Sequence, residues 1–297
     1  MPIYELAAFG SAICWALTGL ISAGAAGHLG ALSYNRIRQV FVTCLLIAYV
    51  AFTGSWRQLD SENILPLMCS GFIGIFLGDT ALFAAVIRLG PRRAGILFAM
   101  NAPIAALLGW TVLGEMLSIR AVFGMALTII GVCLAIFFGK RSSQKHPWEA
   151  VKGALWIGIA FGLLAASGQA IGSIIVRPVM ETGIDPFVGS LIRVGVAAAC
   201  LSALAQLPVA AVKSRNPPTL PVVAMTALSG FLALAVGMTL LLFALSGGKT
   251  GIVSTISATT PVIILPLLWL RTGERPAAGA WIGAAFVVIG LAFILYR

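Results

Sequence analysis

The chain has 297 residues, 60% of them hydrophobic and only 9% charged, with a mean hydropathy of +1.04 and a formal net charge of +10. Soluble domains carry about 25% charged residues, so an ordinary soluble enzyme or sensor is excluded. The basic residues are scattered at the ends of apolar stretches and form no stripe, which excludes a nucleic-acid partner and points to membrane-end placement.

Ten apolar runs of roughly 20 residues follow one another, each long enough to cross a bilayer core of about 30 Å. They lie at 3–24, 34–54, 64–86, 93–113, 119–138, 154–176, 186–207, 219–243, 251–270 and 277–296. Stretches such as ILPLLWL and ALTIIGVCLAIFF do not alternate polar with apolar residues, so a β-barrel is excluded and helices remain. The expected fold class is therefore an all-α membrane protein with ten transmembrane helices. No basic segment precedes the first run, which reads as retained structure and not as a secretory signal. The five cysteines lie inside apolar runs without close pairing and read as small buried hydrophobes.

Along the first run, Ser11, Trp15 and Thr18 fall on one helical face. Trp15 is too deep for an interfacial belt, so it either packs between helices or walls a cavity. Arg36 and Arg38 open the second run and read as side chains snorkelling to the headgroups. Asp79 sits mid-way along the third run, with Phe83 one turn on. A charge at that depth costs about 2.5–3.5 kcal/mol on the mildest scale, so an interior location follows. Asp79 is either a binder of a substrate amine or proton, or a structural partner for a basic residue of another helix.

The fourth run contains Phe98, Asn101 and Pro103, a natural place for a kink, because proline removes a hydrogen bond and frees a carbonyl one turn earlier. The turn Gly114–Glu115 follows, fitting a helix end and the next helix start. A polar stretch from Gly139 to Glu149 joins the halves. The sixth run offers Ser167 and Gln169, and the seventh holds Arg193 well inside it, facing Asp79 or reaching a substrate carboxylate. Met238 occupies the eighth run where Asp79 occupies the third. The ninth is rich in hydroxyls, including Ser257 and Thr260 before Pro261, and ends at a second turn, Gly273–Glu274.

That second turn belongs to a repeat. GEMLSIRAVFGMALTIIG from Gly114 matches GERPAAGAWIGAAFVVIG from Gly273, setting Gly124 against Gly283 and Gly131 against Gly290. SGFIGIFLGDT from Ser70 likewise matches SGFLALAVGMT from Ser229, and NRIRQV around Arg38 resembles SLIRVG around Arg193. The chain divides into a first five-helix repeat at 1–138, a linker at 139–153 and a second repeat at 154–297. Five crossings per repeat invert the second relative to the first, an arrangement that serves alternating access around a site near the midplane. Paired small residues in the last helix of each repeat let backbones approach closely.

Two five-helix halves, each closing with a tight Gly-Glu turn and a glycine-rich helix, resemble the drug/metabolite transporter superfamily, in particular its EamA-type exporters. Length and general appearance are similar to the YddG amino-acid exporters within that group. The resemblance implies a basket in the bacterial inner membrane, its central cavity enclosed by helices three, four, eight and nine with help from one, two, six and seven. Helices five and ten would support the outside. It also implies a monomeric secondary transporter exporting amino acids or related small metabolites, with drugs or sugar phosphates as the alternative load.

On that reading the cavity candidates are Trp15, Thr18, Asp79, Phe83, Phe98, Asn101, Ser167, Gln169, Met238, Ser257 and Thr260. Asp79 and Arg193 form a charge pair or bind a carboxylate, and Pro103 and Pro261 are the hinges. The partners are a small-molecule substrate and the lipid bilayer. No cofactor or metal is expected, since His28 and His146 have no acidic or cysteine neighbours at ligand spacing. No Ser-His-acid set is evident, which makes an intramembrane enzyme a distant alternative. Charge and resemblance disagree over orientation. The ends sharing a side with the N-terminus hold Arg57, Arg120, Arg177, Lys249 and Arg297, against thirteen basic residues opposite. The positive-inside rule thus puts the termini outside, whereas proteins of the resembling group have them in the cytoplasm.

Overall fold

The computed structural model describes residues 3–89, 91–138, 153–208, 213–272 and 277–295. Gly273, Glu274 and linker residues 139–152 fall outside these, so the second Gly-Glu turn and most of the linker have no structural account.

Among the described residues the chain forms ten helical rods, α1 to α10, that follow the ten expected runs in order. They are α1 (Ile3–Leu29), α2 (Ala31–Thr53), α3 (Ser61–Leu89), α4a (Pro91–Ala99) with α4b (Asn101–Leu113), and α5 (Ile119–Phe137). The second half holds α6 (Leu155–Glu181), α7 (Pro186–Leu204), α8 (Leu220–Leu245), α9a (Thr250–Ser257) with α9b (Thr260–Thr272), and α10 (Ala278–Leu295). Seven rods are long and apolar enough to cross a membrane. The apolar stretches Ile3–Gly19, Ile119–Ala135 and Ala278–Ile294 within α1, α5 and α10 are shorter. Phe52, Ile119, Leu220 and Leu270 stand exposed on the outside of the bundle, where apolar side chains suit lipid.

The sequence accounts for the helix ends. Ser118 accepts a hydrogen bond from the Ala121 amide to cap α5, and Asp185 caps α7 ahead of Pro186, whose missing amide costs nothing in a first turn. Gly54 and Gly114 close α2 and α4b in the left-handed region, at φ 72° and 66°.

Two irregularities recur in both halves. Residues Gly71–Leu77 of α3 and Phe231–Gly237 of α8 form wide π turns. The fourth and ninth rods both break, at Met100 and at Ala258–Thr259. Each break lies just before its proline and not at it: Pro103 and Pro261 sit in the first turn of α4b and α9b, where a missing amide is least costly.

Packing crosses between the halves. α1 lies against α8 and α9, α6 against α3 and α4, and α2 against α7. α5 and α10 pair along the glycine stripe. A Cβ at Gly124 would lie 2.6 Å from the Gly290 carbonyl, and one at Gly131 2.6 Å from that of Gly283. The cysteines correct one expectation: Cys44 and Cys69 are exposed on the outer surface, where a small apolar side chain suits lipid as well as a core.

Candidate functional site

The polar centre begins at the amino end of α2. Asn35, Arg38 and Gln39 follow the i, i+3, i+4 spacing of one helical face and are all buried. Arg38 does not snorkel. Its Nη2 donates to Oδ2 of Asp79 at 3.0 Å, an ion pair with side chains 7% and 21% exposed. The same nitrogen donates to Oδ1 of Asn35 at 3.2 Å, which also accepts from Nε2 of Gln39 at 3.1 Å. The Arg38 guanidinium lies over the rings of Phe83, at 5.4 Å, and Tyr34, at 5.6 Å. Tyr34 in turn shares hydrogen bonds of 2.6 Å with Ser22 and Ser229. Nε of Arg38, Nδ2 of Asn35, Oε1 of Gln39 and Oγ1 of Thr80 are buried without a protein partner. Buried polar atoms are normally paired, so this nest has capacity for water or a polar solute.

Arg193 is the counterpart of Arg38 in the second half. It is fully buried, and the placement of its backbone explains why. A Cβ at Gly71 would lie 2.5 Å from the Arg193 carbonyl, so only glycine lets α7 come so close to the π turn of α3. Gly230 does the same for Arg38 on α8, where a Cβ would lie 2.7 Å from the Arg38 Cγ. Each arginine thus meets the π segment of the opposite half and the polar position of its own. For Arg38 that position is Asp79. For Arg193 it is Met238, whose sulfur accepts from Nη1 at 3.3 Å. Asp79 lies within electrostatic reach of Arg193, but its hydrogen-bonded partner is Arg38.

Other candidates join helices to one another. Nε1 of Trp15 donates to the Ala233 carbonyl in the π turn of α8 at 3.1 Å, so this indole packs between helices. Oγ1 of Thr18 donates to Cys14 and, at 3.5 Å, to the Ser229 carbonyl. Ser257 and Ser11 share a 3.1 Å bond, and Oγ1 of Thr260 donates to the Ser257 carbonyl, which Pro261 cannot engage, at 3.0 Å. On the other broken rod, Nδ2 of buried Asn101 donates to the Phe98 carbonyl at 2.7 Å. Gln169 is buried on α6 opposite Gly78, and Ser167 beside it is half-buried. The structure therefore gathers Asp79, Phe83, Met238 and Arg193 around the centre, and commits Trp15, Thr18, Ser257 and Thr260 to contacts of α1 with α8 and α9.

One end of the bundle is tied shut by Glu115. Its Oε1 accepts from Nε of Arg177 at 3.2 Å and from Oγ1 of Thr250 at 2.8 Å, and its Oε2 accepts from the Thr250 amide at 2.7 Å. Gly109 leaves the space this carboxylate occupies. Arg177 continues to Glu181 at 2.9 Å and to the Leu245 carbonyl, and Lys249 donates to the Met116 carbonyl. At this end α4b and α9a pack backbone to backbone, a Cβ at Gly251 lying 2.8 Å from the Ala106 Cα. Beyond their breaks this close pairing is not continued: α4a packs on α3, α5 and α6, and α9b on α1, α5 and α10. The sequence marked Glu115 as a turn residue; Arg177 and Thr250, distant in the chain, gave no signal of the network.

Clefts of about 450 Å³ between α2 and α7, at Arg36 and Gln206, and of about 270 Å³ beside Trp110 and Met116 contain neither Asp79 nor Arg193. A solved crystal structure resembles the chain with a TM-score of 0.80 and 17% identity, over 98% of this chain and 96% of that one, which establishes the shared fold. A search of curated proteins finds no match. The chain matches the EamA-like transporter family over residues 2–137 and 156–296.

Proposed function

Because the chain belongs to the EamA-like transporter family, a family of membrane transporters, we propose that it is a secondary transporter moving amino acids or related small metabolites across the bacterial inner membrane by alternating access. The load is that of the YddG-like amino-acid exporters, and the ten rods act as ten crossings in two inverted five-helix repeats that work as a monomer. The observation that carries this reading is the recurrence, in both halves, of a π turn and a broken rod around one polar centre. Inverted repeats with discontinuous helices supply two similar packings that can exchange roles about a midplane site. The ends α4b and α9a are paired closely beneath the Glu115 network while α4a and α9b are not paired in that way, an asymmetry in keeping with one access state. Asp79 would serve a proton or a substrate amine, and Pro103 and Pro261 border the hinges.

Purified protein in liposomes tests the proposal. Saturable uptake of radiolabelled amino acids, competed by other amino acids and without chemical change to the solute, is the expected result. Uptake responding only to phosphorylated sugars or to cationic drugs would replace the amino-acid load. Conversion of the solute during uptake would favour an enzyme.

A further inference from the structure

Arg193 presents a combination found at no other described arginine: full burial, with two of its three nitrogens lacking a partner. Nη1 has the thioether of Met238, a weak acceptor, while Nε and Nη2 have no hydrogen-bond partner. Those two nitrogens form one edge of the planar guanidinium, the edge that takes both oxygens of a carboxylate in parallel. A buried charge without a hydrogen-bonded counter-ion is costly and marks a candidate functional site.

Three features show what is missing. In the first half, the equivalent arginine has its carboxylate, Asp79, at 3.0 Å; in the second, that place holds Met238. The orphan edge lies beside Gly74, where a Cβ would stand 3.2 Å from Nη2, so any side chain there would crowd it. In the aligned half this position is Ala233, which carries the methyl that Gly74 omits. Gly74 is also near the middle of α3, so the guanidinium reaches mid-bundle depth although Arg193 sits only seven residues into α7.

We propose that the Nε and Nη2 edge of Arg193 binds a carboxylate of the transported solute, which gives this arginine the anionic partner that Asp79 gives Arg38. This rests on the transporter reading and narrows it to carboxylate-bearing solutes. In the access state described, the edge is enclosed, and it becomes reachable when the end held by Glu115 opens. Asp79, close enough to interact with Arg193 electrostatically and 21% exposed, stands ready for a cationic group on the same solute, such as an α-ammonium.

The test is binding to the purified full-length protein, read as a concentration-dependent rise in melting temperature. The probes are L-leucine, L-phenylalanine, succinate, L-leucinamide, L-phenylalaninamide and inorganic phosphate, with radiolabelled uptake into liposomes measured in parallel. At least one carboxylate should bind, with its amide at least tenfold weaker. Met238→Asp supplies the carboxylate that the second half lacks. It should keep the protein folded and weaken the carboxylate at least tenfold, because the guanidinium then has an internal counter-ion beside Nη1 and attracts a second anion less. Arg193→Met removes the buried charge, should melt no lower than the parent, and should abolish the preference for acid over amide.

The proposal is overturned if an amide binds within twofold of its acid, if phosphate binds better than every carboxylate, if none of the carboxylates binds, or if Met238→Asp leaves affinity unchanged. Carboxylate binding without uptake would instead remove the transport reading and leave the site standing. Uptake of amines with no carboxylate binding would do the reverse.

Discussion

Arg38 and Asp79 stabilise each other because neither meets enough water to be neutralised otherwise, and removing one partner leaves the other charge buried. Asp79→Asn should therefore destabilise the protein by about 3–5 kcal/mol at most, less for the part of Asp79 that remains solvated, and a melting curve in detergent reads this. Transport should fall at least tenfold and lose its dependence on pH. Unchanged rate and pH profile would reduce Asp79 to a structural counter-ion. The cost of a mid-span carboxylate made Asp79 legible from the sequence alone. Its partner was not read: the sequence pointed to Arg193, and the position of Arg38 near a helix start suggested snorkelling, although Asn35, Arg38 and Gln39 share one buried face. Snorkelling and inward pairing begin from the same place in the chain, and only the facing helix decides between them.

The broken rods show how much a local pattern can say. Proline marks the region correctly, yet the break itself lies two to three residues earlier, where the side chains of Asn101, Thr259 and Thr260 donate to the carbonyls of Phe98, Ile256 and Ser257. Pro103→Ala and Pro261→Ala restore an amide that can reach the carbonyl four residues back and join the half-rods. Both variants should fold, transport more slowly and shift the balance of the two access states in opposite directions, as read by paired spin labels across each opening. Parent-like distances and rates in both would make the prolines packing features. The π turns had no sequence signal apart from glycines at 71, 74, 230 and 237, which are common in membrane helices. The glycine stripe of α5 and α10 was plain in the repeat. Gly124→Ala should cost about 1–3 kcal/mol by forcing the rods apart. Gly27→Ala, with nothing within 4 Å, should be close to neutral in the same melting assay.

Across the whole bundle, closure of one end depends on a single carboxylate that ties the α4b–α5 turn to two helices, α6 and α9a. Glu115→Gln keeps its shape and removes its charge. A charge-assisted hydrogen bond contributes about 1.5–3 kcal/mol, so the closed form should lose roughly ten- to hundredfold in population. Spin labels on α4b and α9a should then report a longer distance, and no change in that distance would show that packing at Gly251 holds the end by itself. Composition and the 159-residue repeat made the architecture readable at this scale. Which end closes was not readable, because Glu115, Arg177 and Thr250 meet only in three dimensions. Orientation is a separate question. A membrane-impermeant thiol reagent on Lys213→Cys, in a background lacking the five native cysteines, answers it in intact cells. Labelling puts the termini inside, and protection puts them outside.

The glycine seam between α5 and α10 also bears on how the protein is made. α5 leaves the ribosome with its stripe bare, and the matching surface arrives only with the last helix. The 152 residues from Gly131 to Gly283 take roughly 8–30 s to synthesise at about 5–20 residues per second. Through that interval the glycine face of α5 lacks the partner that α10 supplies, and the pair closes only once α10 is inserted. A chain released before α10 keeps every residue of the polar centre but lacks the clasp along α5.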